Sequence, residues 1–193
     1  MKFAYSVVAA ALSVAFAGAA FAQAGTVQRD VNQQQRIEQG LQSGQLNTRE
    51  AARLEREEAR VERDQARAMQ DGNLSAAEKA RLAREQNRVS RDIYREKHDA
   101  QTGNPNSASS QRMQADVQRN VNQQQRIEQG VQSGSLTTRE AGRLERGEAR
   151  IDRKEARAGA DGKVSAREQR RIQKAEHRES RRIHREKHDA QTK

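Results

Sequence analysis

Large apolar residues are sparse but regularly placed. In the first half of the chain they fall at Val27, Val31, Ile37, Leu41, Leu46, Leu54, Val61, Leu74, Leu82, Val89 and Ile93, with alanines between. The recurrent intervals of four and seven mark one face of a helix, and no run shows the strict alternation of a strand. The pattern predicts three helices over 27–42, 48–69 and 76–98. The single proline, Pro105, lies outside every periodic segment.

The breaks between these segments carry their own signals. "GQLNTRE" at 44–50 and "GNLSAAE" at 72–78 each read as a helix stop followed by a restart. Glycine suits the left-handed residue that ends a helix. Asn47 and Ser75 are N-cap residues with Glu50 and Glu78 three positions on, the spacing of a capping box. Leu46 and Leu74 stand just before the caps, where a hydrophobic staple belongs. The pattern then repeats at an offset of 90 residues: aligning 27–102 with 117–192 gives 50 identities in 76 positions. "GSLTTRE" at 134–140 and "GKVSARE" at 162–168 answer the first two motifs, with caps at Thr137 and Ser165, boxes closed by Glu140 and Glu168, and staples at Leu136 and Val164. The expected fold is all-α. It consists of two tandem repeats (27–102 and 117–192, linker 103–116), each a small antiparallel three-helix bundle of charged helices. The competing arrangement is a set of long charged rods held by weak Glu–Arg pairs.

Composition adds an address. "MKFAYSVVAAALSVAFAGAAFAQAG" has a basic start, an apolar run and small-x-small sites ending at Ala22 and Ala24, the layout of a secretory signal peptide over 1–22. The expected location is the periplasm of a Gram-negative bacterium, or the medium, with no membrane span left after cleavage. There is no cysteine, which removes disulfides, thiol catalysis and cysteine metal sites. Outside the signal segment Tyr94 is the only aromatic residue. Base stacking therefore lacks its platforms, and sequence-specific nucleic-acid recognition is not expected.

Charge supplies the candidate binding surface. Arg49, Arg53, Arg56, Arg60, Arg63 and Arg67 recur at Arg139, Arg143, Arg146, Arg150, Arg153 and Arg157. At roughly 100° per residue they fall on the side of the helix opposite Leu54 and Val61. Glu50, Glu55, Glu57, Glu58, Glu62 and Asp64 equal the first six arginines in number, so this helix reads as a solvated, charge-balanced face. The last helix differs. Arg167, Arg171, Lys174, Arg178, Arg181 and Arg185 lie opposite Ile172 and Ile183, and segment 165–188 holds nine basic residues against four acids. Repeat one carries a net charge of +1 and repeat two +7. Such a face attracts anionic polymers, envelope lipid or unfolded acidic clients.

Two further sets of residues bear on metals. His177, His184 and His188 share a flank of the last helix, and His184 with His188 form an i, i+4 pair of the kind that clamps a transition metal. "DGNLSAAE" and "DGKVSARE" resemble the second half of an EF-hand calcium loop, which would make Asp71, Glu78, Asp161 and Glu168 ligands. The loop's first half is missing, with Arg67 and Arg157 where that family places an acid. The recurring Leu/Val-Ser/Thr/Asn-x-x-Glu also resembles the LTxxQ motif of small helical periplasmic stress proteins, the ATP-independent chaperones and zinc-resistance-associated proteins. That resemblance implies a helical, secreted, non-enzymatic protein whose charged surface holds clients or buffers stress. No motif asks for a cofactor, and no histidine stands beside a candidate nucleophile, so catalysis is not expected. The expected function is a secreted or periplasmic helical binding protein, chaperone-like or of envelope-stress type, that engages anionic partners. The alternatives are a metal-binding protein using the histidine stripe and a degenerate EF-hand-like calcium binder.

Overall fold

The structure is a computed structural model that describes the backbone of residues 13–189 and the side chains of residues 23–189. All regular structure among these residues is helical: α1 (Ser13–Ser43), α2 (Thr48–Ala68), α3 (Ala76–Lys97), α4 (Ala108–Gln132), α5 (Thr138–Ala158) and α6 (Ala166–His188). Residues 1–12 of the expected signal segment lie outside the described residues. The helix stops follow the sequence signals closely. Gly44, Gly72, Gly134 and Gly162 are left-handed, with φ of 76°, 88°, 66° and 86°. Asn47, Ser75, Thr137 and Ser165 each close a capping box with the glutamate three residues on. The four staple residues, Leu46, Leu74, Leu136 and Val164, are buried. Two boundaries move: α1 begins at Ser13 rather than near Val27 and so runs through the expected cleavage sites at Ala22 and Ala24, and Ser107 caps α4, so most of the expected linker is helix.

Each repeat contributes three helices, but its apolar stripes are not closed within it. The most extensive helix pair is α2 with α5, followed by α1 with α4, and both pairs join one repeat to the other. Both pairs are antiparallel. A Cβ at Gly159, at the end of α5, would meet Ala52 near the start of α2, and one at Gly142, near the start of α5, would meet Met69 at the end of α2. Helices α3 and α6 cover the flanks, α3 on α1 and α2, α6 on α4 and α5. The core divides accordingly. One cluster joins Ile37, Leu41, Leu54 and Ile93 to Met113, Val117 and Ile172; the other joins Val27, Met69 and Leu82 to Ile127, Leu144 and Ile183. Most positions 90 residues apart exchange clusters, Ile37 against Ile127 and Val117 against Val27, whereas Val61 and Ile151 lie together in the first. The two repeats are thus related by an approximate two-fold axis, and each cluster draws side chains from both halves of the chain.

This packing has a local cause. A stripe as thin as Leu54–Val61 buries too little apolar surface inside 76 residues to offset chain entropy. Crossing α2 over α5 supplies the missing surface from a closely similar partner face. No helix among the described residues is long and apolar enough to cross a membrane.

Candidate functional site: a carboxylate-lined interior

The α2–α5 contact is not purely apolar. Measured from Leu54 at roughly 100° per residue, Glu58, Glu62 and Gln65 fall on the same side of α2 as Val61, and Glu55 at its edge. The structure buries all four, together with their equivalents Glu145, Glu148, Asp152 and Glu155 on α5. Asp30 enters from α1, so eight carboxyl groups are enclosed, each no more than 1% exposed. None of the eight forms an ion pair among the described residues.

Amide side chains supply partial compensation. Gln34 Nε2 donates to Glu55 Oε2 at 3.0 Å, and Gln124 Nε2 to Glu62 Oε1 at 2.7 Å and Glu145 Oε2 at 3.2 Å. Asn120 Nδ2 donates to Asp152 Oδ1 at 3.3 Å and to Glu155 Oε2 at 2.8 Å. Asp30 accepts from Gln65 at 2.6 Å and from Gln86 at 2.7 Å. Glu62 and Asp152 hydrogen-bond to each other, and nine oxygens of these enclosed groups have no amide or hydroxyl donor: one each on Glu55, Glu62, Glu145, Asp152 and Glu155, and both on Glu58 and Glu148.

Removing a carboxylate from water without a counter-charge is costly, and neighbouring carboxylates raise the cost further. The groups respond by holding protons. Burial pushes Asp30 and Glu55 up to about 7. Burial first, then adjacent acids, holds Glu58, Glu62, Glu148 and Glu155 well above the ordinary carboxylate range, and burial does the same for Glu145 and Asp152. A cation is the other way to compensate such a cluster, and one group has suitable geometry. Glu55, Asp152 and Glu155 each present an oxygen, all within 4.8 Å of one another. Metal–oxygen bonds of roughly 2.3–2.6 Å, as for calcium, span that separation. Bundle interiors commonly build metal sites in this way, from side chains on facing helices. The donor set is carboxylate and carboxamide oxygen, with no imidazole or thiolate, which favours hard cations over nickel, copper or zinc.

The residues singled out from the sequence lie elsewhere. The arginines of α2 and α5 are on the outer face, all exposed except the half-buried Arg63. Arg167, Arg171, Lys174, Arg178, Arg181 and Arg185 are all exposed on α6. His177, His184 and His188 are exposed as well. The His188 ring leans on His184 with centroids 4.2 Å apart, and its Nδ1 lies 2.7 Å from the His184 carbonyl. Tyr94 and His98 repeat that arrangement in the first repeat. In the Asp-Gly loops, Glu78 and Glu168 accept from the Ser75 and Ser165 amides at 2.9 Å as capping-box partners. Asp71 and Asp161 accept from the amides of Asn73 and Lys163. An arginine from the opposite repeat reaches each loop: Arg139 donates to the Asp71 carbonyl at 2.9 Å and Arg49 to the Asp161 carbonyl at 3.1 Å. These loops are repeat-to-repeat contacts.

The buried acids carried a usable sequence signal. Acids at 145, 148, 152 and 155 are spaced three, four and three apart on the apolar side of the helix; at 55, 58, 62 and 65 the same spacing ends in glutamine. Counting acids against arginines, without assigning each to a face, hides it. No protein-family model, curated protein or solved structure matches this chain.

Proposed function

We propose that this protein is a non-enzymatic binding protein of the bacterial envelope that takes up a hard, oxygen-preferring cation between α2 and α5. The observation that carries this reading is the convergence of one carboxyl oxygen each from Glu55, Asp152 and Glu155, in an interior where each of these residues also has a buried oxygen without a donor. A cation entering there displaces protons from groups that burial keeps protonated, so uptake strengthens as pH rises. The secretory layout of residues 1–22 supports a periplasmic or secreted location, where such ions are met directly. The test is a titration of the chelator-stripped mature protein with calcium, manganese or terbium at pH 7.5, followed by calorimetry and thermal melting. Saturable binding with a raised Tm is the expected result, with zinc and nickel weaker. No heat and no shift with any of the three ions would overturn the reading.

A second reading rests on a separate observation. None of the six basic side chains from Arg167 to Arg185 on the outer face of α6 enters an ion pair among the described residues, whereas on α3 Arg81 and Arg95 are both paired. This unneutralised face is the surface for anionic polymers, envelope lipid or acidic clients, as in a chaperone-like or stress protein. Binding of a polyanion by the mature protein should weaken steeply with salt. Binding indifferent to salt would remove this role. The histidine stripe is a second metal candidate, and loss of zinc binding on replacing His184 would identify it.

A further inference from the structure

The two-fold relation gives every residue of the interior an equivalent 90 positions away, and the equivalents are not chemically equal. Around Asp152 the chain places Glu155, with Asn120 donating to both carboxylates. Around Glu62, the equivalent of Asp152, it places Gln65 and Asp30, so the acid and the amide have changed places. The exchange alters the hydrogen bonding as well as the sequence. Both oxygens of Asp30 are occupied, one by Gln65 and the other by Gln86. On the other side, Glu55 Oε1, Asp152 Oδ2 and Glu155 Oε1 have no amide donor, as is true of the equivalents Glu145 Oε1 and Glu62 Oε2; the two positions differ in that Glu155 brings a carboxyl group where the copy has the Gln65 amide.

The surroundings lean the same way. At the same offset of 90 residues, Thr26, just before the first repeat, and Gln86 and Val89 within it have Asp116, Glu176 and Glu179 as equivalents, all three buried. Gly147 makes room for one of them, since a Cβ there would collide with the Glu179 carboxylate. Carboxyl groups are therefore concentrated around Glu155, while at the counterpart position amide donors close Asp30 and leave one oxygen each of Glu62 and Glu145 without a donor.

We infer that the bundle holds one high-affinity cation per chain, ligated by Glu55, Asp152 and Glu155, and that the two-fold-related position at Glu145, Glu62 and Gln65 is a disabled copy of that site. This rests on the cation-binding reading above and adds stoichiometry, ligand identity and the residue that decides between the two halves. Asn120 is a positioning residue: one amide nitrogen holds two of the three carboxylates in register.

The decisive experiment compares the wild-type protein with Glu155→Gln, Glu145→Gln and Gln65→Glu, using terbium luminescence for stoichiometry and calorimetry with calcium for affinity. Glutamine is isosteric with glutamate, and helix content at pH 5 checks that each variant folds. The wild type should bind one equivalent. Glu155→Gln should weaken binding at least tenfold, and Glu145→Gln less than threefold. Gln65→Glu should restore the third carboxylate of the copy and raise the stoichiometry to two. Two equal sites in the wild type, or equal losses from Glu155→Gln and Glu145→Gln, would overturn this inference and leave cation binding standing. Absence of terbium and calcium binding in the wild type would overturn both.

Discussion

The second repeat is more basic than the first on its surface and more acidic in its interior. Outside, Asn73, Ala80 and Asp92 have Lys163, Arg170 and Arg182 as equivalents; inside, Thr26, Gln65, Gln86 and Val89 have Asp116, Glu155, Glu176 and Glu179. A net charge per repeat conceals this, because the two changes have opposite sign and very different energetic weight. An exposed arginine is solvated and screened, and a surface pair contributes little. A buried acid has no such relief. Burial pushes Asp116 up to about 8 even with the Arg119 guanidinium 3.7 Å away. Charge in this protein must be read by depth before it is read by sign.

Separating the halves would break the comparison most completely. The segments 23–102 and 112–193, expressed apart, lose the α2–α5 and α1–α4 contacts, so the inner carboxylate face becomes a second outer face. Circular dichroism and sedimentation should show each half largely unfolded as a monomer, and a stable monomeric half would contradict the shared core. A smaller effect comes from pH. The folded acids titrate at about 7 for Asp30 and Glu55 and about 8 for Asp116, above their ordinary values of 3.8, 4.5 and 3.8. The folded chain therefore binds more protons than the unfolded one between these limits. Stability is fully present below pH 4 and is lost as pH rises through 7 to 8. Without metal, Tm should fall by roughly 20 °C or more between pH 5 and pH 8, given ~2–4 °C per kcal/mol for a domain of this size. Saturating calcium should recover most of that loss at pH 8 and little at pH 5. A flat profile without metal would mean that the interior is hydrated. The smallest effect sharpens the outer half of the comparison. Replacing Arg171 and Arg178 by glutamine should change stability by less than about 0.5 kcal/mol, and should lower the salt slope of polyanion binding by about 2.

What could be read from the sequence follows the range of the interactions. Helices and their ends depend on neighbours within four residues, so Gly44, Asn47 and Glu50 specify a stop and restart wherever they occur. The partner of a helix face is not local. Leu54 and Val61 require burial, but nothing in α2 says whether the covering surface is α3 or α5. The carboxylates were hidden for a related reason: Glu58 and Arg60 are two residues apart and balance in any count, yet one is enclosed and the other solvated. Ser107 also shows how a serine-rich stretch is ambiguous, since the same residues that suggest a linker make good N-caps.

The exchange of side chains between the two core clusters bears on how such a chain could arise. A polypeptide of one repeat would expose half of each cluster and could complete them only against a second copy of itself, as an obligate homodimer. Joining two copies end to end makes that encounter intramolecular and independent of concentration. It also lifts a constraint that symmetry imposes on homodimers, in which every substitution appears twice. Asp30 with Asn120, and Gln65 with Glu155, are pairs that a symmetric dimer cannot encode; fusion allowed one gene to give the two halves of a single interior different chemistry.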